Sequence, residues 1–132
     1  MIYGGVATND AAGKGNFMTP TLITNVEEDD ELFSQESFGP MVVVKKVLAP
    51  EEALARMNNN EYGLTNAIYT KDKEMALGMA LKLESGTVFM NKCDYVDPYL
   101  GWTGYKNTGK GTSLSHHGFN FVTRPKSLNF VG

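Results

Sequence analysis

A carboxylate and an aromatic ring two residues apart, Glu36 and Phe38, are the first side chains whose types suit chemistry. A carboxylate can accept two hydrogen bonds from a vicinal diol such as a ribose, and an aromatic ring can press on a flat heterocycle. Together they are suited to holding a nucleoside. A structural turn that happens to contain a charge explains the segment "QESFGP" about as well, so both interpretations stay open on composition alone.

The single cysteine, Cys93, is a candidate nucleophile because it follows a predicted strand. No histidine is adjacent to it and it does not begin a predicted helix, so the sequence supplies nothing that would activate its thiol. We therefore expect a bystander. One cysteine cannot form an internal disulfide framework or a cysteine-rich zinc site, which favours a reducing, cytoplasmic location.

Three further patterns resemble ligand sites but have the wrong spacing, and we expect no metal site. His116 and His117 are consecutive, so on a helix they point about 100° apart and cannot share one metal. The segment "GYKNTGKG" has the glycines and lysines of a phosphate-binding loop, but Lys110 is followed by glycine where Ser or Thr is required. The acidic run Glu27 to Glu31 lacks the Asp/Asn/Gly spacing of a calcium loop.

Composition sets the class of protein. The chain has 132 residues, of which 42% are hydrophobic and 20% are charged, the balance of one ordinary globular domain. The net charge of −3 and the scattered lysines and arginines argue against nucleic acid as a partner. No segment reaches the ~20 apolar residues of a membrane span, and no secretory signal begins the chain. A strand pattern begins at once, which suggests a piece of a longer protein.

The elements that would position these side chains alternate between strands and helices. The predicted order is a strand at Met41 to Val47 that reads as buried on both faces, a helix at 49–60, a strand at Leu64 to Thr70, a helix at 71–86 and a strand at Thr87 to Asn91. This order predicts an α/β fold with a parallel-sheet β-α-β-α-β unit. The long loop after Asn91 follows the carboxyl end of a strand, where ligands bind in such sheets.

The tail of the chain ends in a short apolar pattern. Residues Ser127 to Val131, "SLNFV", are suited to a strand, and a lone strand needs a partner. We expect this segment to pair with another element or with another chain.

Five segments together resemble the C-terminal part of the NAD(P)-dependent aldehyde dehydrogenase superfamily. They are "GNFMTPTLITNV", "ESFGP", "NNNEYGLTNAIYTKD", "SGTVFMN" and "WTGYKNTGKG", in the order and spacing of that family. The resemblance implies that residues 1–126 are a portion of the family's catalytic domain and that 127–132 are its oligomerisation strand.

The resemblance also implies roles for particular residues. Glu36 would accept hydrogen bonds from the nicotinamide-side ribose of NAD or NADP, and Phe38 would pack near the nicotinamide ring. Val96 and Trp102 occupy positions that line the aldehyde tunnel in many members. The segment 127–131 would join subunits of a homo-oligomer.

The chain departs from the family pattern at several positions. Thr103 stands at one glycine of the F-G-G-x-K loop, Trp102 replaces the usual phenylalanine, Val96 is aliphatic and Thr108 replaces serine. Cys93 is not at the family's nucleophile position. The substrate aldehyde and the choice between NAD and NADP therefore stay open.

The family's nucleophilic cysteine, general-base glutamate and Rossmann-type domain lie upstream of the matching region, so no residue of this chain is assigned a catalytic role. We expect a fragment of an aldehyde-oxidising enzyme that is inactive alone and binds NAD or NADP weakly or not at all. The alternative is a stand-alone, non-catalytic domain that associates with itself or with a full-length relative. The presence of Glu36, Phe38 and the loop 104–111 together favours the enzyme.

Overall fold

The computed structural model describes residues 2–27 and 30–132. It divides into two compact units, Met1–Leu48 and Ala49–Gly132, here called the N-terminal and the C-terminal unit. The acidic run 27–31 includes residues 28 and 29, which lie outside the described residues.

The N-terminal unit is built on a three-stranded sheet. Its elements are β1 (Ile2–Tyr3), β2 (Ala7–Thr8), β3 (Phe17–Met18), β4 (Thr21–Thr24), α1 (Glu31–Ser34) and β5 (Met41–Val44). The sheet order is β1-β4-β5, with β1 antiparallel and β5 parallel to β4, while β2 and β3 form a separate antiparallel pair. The parallel partner of β5 is thus β4, a strand of the segment "GNFMTPTLITNV".

Strand β5 differs from its prediction in length and burial. It ends at Val44, three residues before the predicted end, and it alternates between half-buried and exposed side chains. Val42 and Val44 are exposed, so the expectation of a strand buried on both faces is wrong for this chain. The side chain of Lys45 then donates a hydrogen bond to the carbonyl of buried Val26 (2.9 Å). Strand β5 therefore ends at the residue before Lys45, whose side chain bonds to the protein backbone.

The C-terminal unit contains the predicted alternation of strands and helices. Its elements are α2 (Pro50–Asn58), β6 (Tyr62–Gly63), β7 (Thr65–Ile68), α3 (Lys73–Ala80), β8 (Thr87–Met90), β9 (Trp102–Thr103), β10 (Tyr105–Lys106), β11 (Thr112–Ser113) and α4 (Ser115–Val122). Strands β7 and β8 are parallel, from Thr65 opposite Thr87 to Ile68 opposite Met90, and α3 connects them. The predicted α/β class with parallel strands is confirmed.

The apolar faces of α2 and α3 supply the core of this unit. Helix α2 begins at Pro50 with two acidic residues in its first turn, and the Asp72 side chain caps α3 by accepting from the Met75 amide (2.9 Å). Buried Ile68, Ala76 and Leu83 form the centre of the core. The half-buried side chains packed against them are Leu54, Met57, Met79, Ala80, Val88 and Met90. Leu54 and Met57 reach the core from α2 and Met79 reaches it from α3, whereas Leu83 reaches it from the loop after Ala80.

The last ten residues, 123–132, carry neither helix nor strand. Their apolar side chains lie in solvent, with Phe130 87% exposed. A strand is defined by hydrogen bonds to a neighbour, so the pairing of Ser127 to Val131 stays a prediction. Among the described residues, no helix is long and apolar enough to cross a membrane.

Candidate functional site

The segment 35–40, here called the Glu36 loop, is held by its backbone. The Gly39 amide donates to the Ser37 carbonyl (2.7 Å) and the Met41 amide donates to the Gly39 carbonyl (2.8 Å), which makes two consecutive tight turns. The Pro40 carbonyl accepts from the Thr21 amide (2.8 Å), so the loop is joined to the first residue of β4. The loop therefore has a defined path at the edge of the sheet.

The side chains of the Glu36 loop are available for binding. Glu36 is exposed, and among the described residues its carboxylate makes no hydrogen bond. Phe38 is 95% exposed, although a phenyl ring normally packs against other apolar groups. A free carboxylate and a free ring on one short loop fit a diol and a flat heterocycle. The structure thus places these two predicted residues on one anchored loop with both side chains exposed.

A second segment, 102–111, here called the Lys106 loop, is tied on several sides. Strand β9 pairs with β11, with Trp102 opposite Ser113 and Thr103 opposite Thr112. Strand β10 pairs with β6, with Tyr105 opposite Gly63. The loop thus joins two short ladders whose partner strands are far apart in the sequence.

The ammonium group of Lys106 is held by three acceptors. It donates to the carbonyls of Asn58 (2.6 Å) and Asn60 (3.1 Å) and lies 2.7 Å from a carboxylate oxygen of Glu84. The Asn58 carbonyl is on the last residue of α2, where the helix dipole favours a cation, and Asn60 follows just after the C-cap residue. Lys106 is therefore a structural cation, which explains the lysine of this loop without a phosphate ligand.

Other bonds fix the Lys106 loop to the segment before β7. The Gly63 amide donates to the Thr108 hydroxyl (2.8 Å), and the Asn107 amide donates to the Glu61 carbonyl (2.9 Å). A Cβ atom on Gly63 would overlap the carbonyl of Glu84, so only glycine allows this approach. Two of the segments that carry the family resemblance, "NNNEYGL" and "WTGYKNTGKG", are thus one packed assembly.

A cavity of about 690 Å³ lies between the Lys106 loop and α4. Its wall includes Leu64, Pro98, Trp102, Thr103, Leu114 and Phe121. Trp102, predicted to line a substrate tunnel, is part of this wall. Val96 is not among the lining residues and is 57% exposed. The structure therefore separates the two predicted tunnel residues, and a tunnel role for Val96 stays a prediction.

The remaining candidates form no site among the described residues. Cys93 is exposed, and its side-chain hydrogen bond raises the pKa of the Tyr69 phenol above its ordinary value. His116 and His117 are exposed with ring centroids 3.9 Å apart. No group of three or more His, Cys, Asp or Glu side chains that could hold a metal occurs in the described part of the chain.

The fold and the Glu36 loop define an α/β protein with an exposed carboxylate and ring suited to a nucleoside. The model of the aldehyde dehydrogenase family matches residues 1–128, and the chain belongs to this family.

Among curated relatives, the chain is 33% identical to the probable betaine aldehyde dehydrogenase of Schizosaccharomyces pombe, over 99% of this chain and 26% of that protein. It is 34% identical to the mitochondrial aldehyde dehydrogenase of Equus caballus, over 89% of this chain and 24% of that protein. The P. syringae indole-3-acetaldehyde dehydrogenase, solved with NAD+ and IAA, superposes with a TM-score of 0.89 at 30% identity, over 97% of this chain and 26% of that one. The chain thus spans about a quarter of these relatives.

Sequence reasoning missed the roles of Lys106 and Thr103. The signal for Lys106 was its place in the "WTGYKNTGKG" segment, but its acceptors, Asn58 and Asn60, lie more than 45 residues earlier. Thr103 was noted only as a departure from the family's glycine. Its hydroxyl donates to the carbonyl of Gly111 (2.8 Å), a bond that glycine cannot make.

Proposed function

We propose that this chain is the C-terminal part of an NAD(P)-dependent aldehyde dehydrogenase that oxidises an aldehyde to a carboxylic acid. The chain contributes the ribose and ring contacts of the cofactor through Glu36 and Phe38. It also contributes part of the substrate tunnel through Trp102 and Val96, and an oligomer edge through 127–131. The family's nucleophile, base and dinucleotide domain belong to the rest of the protein, so this chain alone is inactive.

The observation that carries the proposal is the Glu36 loop. Its side chains are free, its backbone is anchored to β4, and it carries the "ESFGP" motif of the family. The free carboxylate fits the two hydroxyls of a ribose, and the free ring fits the face of a nicotinamide. The nicotinamide, when bound, supplies the hydride acceptor. The loop binds and orients it.

The direct test is oxidation of an aldehyde by the native-length protein. An antibody to this chain first gives the mass of the protein in its own cells, which we expect to be several times the 14.5 kDa of this chain. The purified protein is then assayed by absorbance of the reduced cofactor, with NAD and NADP and with short aliphatic and aromatic aldehydes. Reduction of a cofactor only when an aldehyde is present supports the proposal. A native band at 14.5 kDa would contradict it.

The second candidate is a stand-alone domain that acts through self-association. The exposed apolar side chains of Leu128, Phe130 and Val131 favour it, because such a segment gains stability by pairing. Sedimentation of the isolated chain tests this candidate, and a clean monomer at high concentration would count against pairing through the tail.

We propose a cytoplasmic protein on the basis of its lone cysteine, although the relatives include a protein named as cytosolic and others named as mitochondrial. Imaging of the native-length protein in its own cells decides between the two.

A further inference from the structure

The wall of the 690 Å³ cavity contains one bond that the family pattern does not supply. Thr103, which stands at a glycine of the F-G-G-x-K loop, donates its hydroxyl proton to the Gly111 carbonyl across the base of the Lys106 loop (2.8 Å). The bond lies next to the β9–β11 ladder, which is only two residue pairs long. A ladder of two residue pairs is weak by itself. The Thr103–Gly111 bond at its end therefore contributes much of the stability of the β9–β11 pairing.

Packing holds both ends of this bond. A Cβ atom on Gly86 would overlap the carbonyl of Thr103 and would lie 3.2 Å from the Thr103 methyl, so the threonine sits tightly against the backbone that leads into β8. At the other end, a Cβ on Gly111 would lie 2.5 Å from the ring of Phe121, so Gly111 sits directly beneath this side chain of α4. The bond therefore joins the strand that carries Trp102 to Gly111, which in turn contacts Phe121 of α4, and Thr103, Gly111 and Phe121 all line the cavity.

We propose that Thr103 is a positioning residue that fixes the Trp102 wall of the cavity and thereby limits the size of the aldehyde accepted. The claim about the wall concerns this chain alone. The claim about aldehyde size rests on the proposed function.

Trp102 immediately precedes Thr103 and pairs with Ser113, so it has little freedom while the bond is intact. Without the hydroxyl, only the two β9–β11 pairs hold Trp102 and Thr103 against 112–113, although 105–108 stay tied to the segment 58–63. The part of the wall that carries Trp102 therefore opens locally more often. A wall that opens admits bulkier substrates, because selection by size depends on rigid contacts.

The test uses amide hydrogen exchange and kinetics on the native-length protein, with the variants Thr103→Val and Thr103→Ser. Valine keeps the shape of threonine and removes the donor, whereas serine keeps the donor. We expect exchange in the peptide 102–113 to become about threefold to tenfold faster in Thr103→Val, the worth of one hydrogen bond, and to return near wild type in Thr103→Ser. Exchange in β7, residues 65–68, is expected to stay unchanged, which separates local opening from global destabilisation.

A matched control is Thr112→Val. Thr112 lies opposite Thr103 in the same ladder, and among the described residues its hydroxyl makes no hydrogen bond. The same chemical change at this position is expected to leave exchange in 102–113 within about twofold of wild type, because no bond is lost. Equal acceleration in both valine variants would overturn the assignment of the bond to Thr103.

The kinetic arm tests selectivity. The ratio of kcat/KM for an aromatic aldehyde to that for a short aliphatic aldehyde is expected to rise about threefold in Thr103→Val, mainly through KM, with recovery in Thr103→Ser. An unchanged or lower ratio overturns the role in selecting aldehyde size. A protein that oxidises no aldehyde refutes the proposed function instead, and the exchange measurement still decides whether Thr103 holds the wall.

Discussion

The Glu36 loop and the Lys106 loop both carry segments that resemble the family, yet their side chains behave in opposite ways. In the Glu36 loop the backbone is anchored while Glu36 and Phe38 are free. In the Lys106 loop three polar side chains are engaged: Lys106 and Thr108 bond to the segment 58–63, and Thr103 bonds to Gly111 at the end of the loop. The difference teaches that the side chains of one motif can be exposed and available to a ligand, while those of another motif stabilise the fold.

The difference follows from how each loop satisfies its polar groups. A buried or half-buried polar group must find a partner inside the protein, and Lys106 finds three at the end of α2 and at Glu84. An exposed carboxylate is satisfied by water until a ligand replaces that water. Substitutions in the Lys106 loop should therefore change stability, and substitutions in the Glu36 loop should change cofactor binding.

The largest expected effect is on the close approach that supports the Lys106 loop. Gly86→Ala should lower the free energy of unfolding by about 3 kcal/mol, because the added methyl group overlaps the Thr103 carbonyl. Chemical denaturation of the native-length protein measures the loss. The matched control is Gly39→Ala in the Glu36 loop, where an added Cβ meets nothing within 4 Å, and the expected change is below about 0.5 kcal/mol. Equal losses in both variants would remove the contrast between the loops.

The next effect concerns the cation of the Lys106 loop. Lys106→Met keeps the aliphatic stem and removes all three contacts. We expect the free energy of unfolding to fall by about 2 kcal/mol. Most of this loss comes from the two carbonyl contacts, because Glu84 is half-exposed and its ion pair contributes little. Lys110→Met, in the same loop, removes a lysine for which no hydrogen bond is described and should cost below about 0.5 kcal/mol. Thermal unfolding of both variants compares them, and a Lys106 variant as stable as its control would show that the three contacts contribute nothing.

A functional effect is expected in the Glu36 loop. Glu36→Ala should weaken cofactor binding about tenfold or more, because a ribose diol loses a charged acceptor, while the free energy of unfolding stays the same. Titration of NAD and NADP into the native-length protein measures the change. Glu27→Ala removes an exposed carboxylate elsewhere in the N-terminal unit and should leave cofactor affinity unaltered. Unchanged affinity in Glu36→Ala would argue for the structural-turn interpretation.

The smallest expected effect is on stability at Phe38. The ring is 95% exposed, so Phe38→Ala should change the free energy of unfolding by less than about 0.5 kcal/mol, far below the ~3 to 5 kcal/mol of a buried phenylalanine. Denaturation of the native-length protein tests this value. A loss above ~2 kcal/mol would mean that the rest of the protein buries the ring as part of a core.

Sequence patterns predicted α2, β7, α3 and β8 of the C-terminal unit but not the two-residue strands β6, β9, β10 and β11. Leu54, Met57 and Met79 of the two predicted helices pack against the core. The burial predicted for β5 was wrong. A run of valines predicts a strand buried on both faces, whether or not a second layer of structure covers it. The sequence pattern also placed the end of α3 too late, at 86, since Leu83 joins the core from the loop after Ala80.

The sequence by itself determined the α/β alternation, the family and the pairing of a carboxylate with a ring in the Glu36 loop. Each of these depends on residues that are neighbours along the chain. The tertiary structure alone decided that Glu36 and Phe38 are free and that Lys106 is held just after α2. It also decided that Trp102, and not Val96, lines the 690 Å³ cavity. The contacts of Lys106 join segments 46 and 48 residues apart, and no local pattern of residue types encodes which distant carbonyl a lysine will reach.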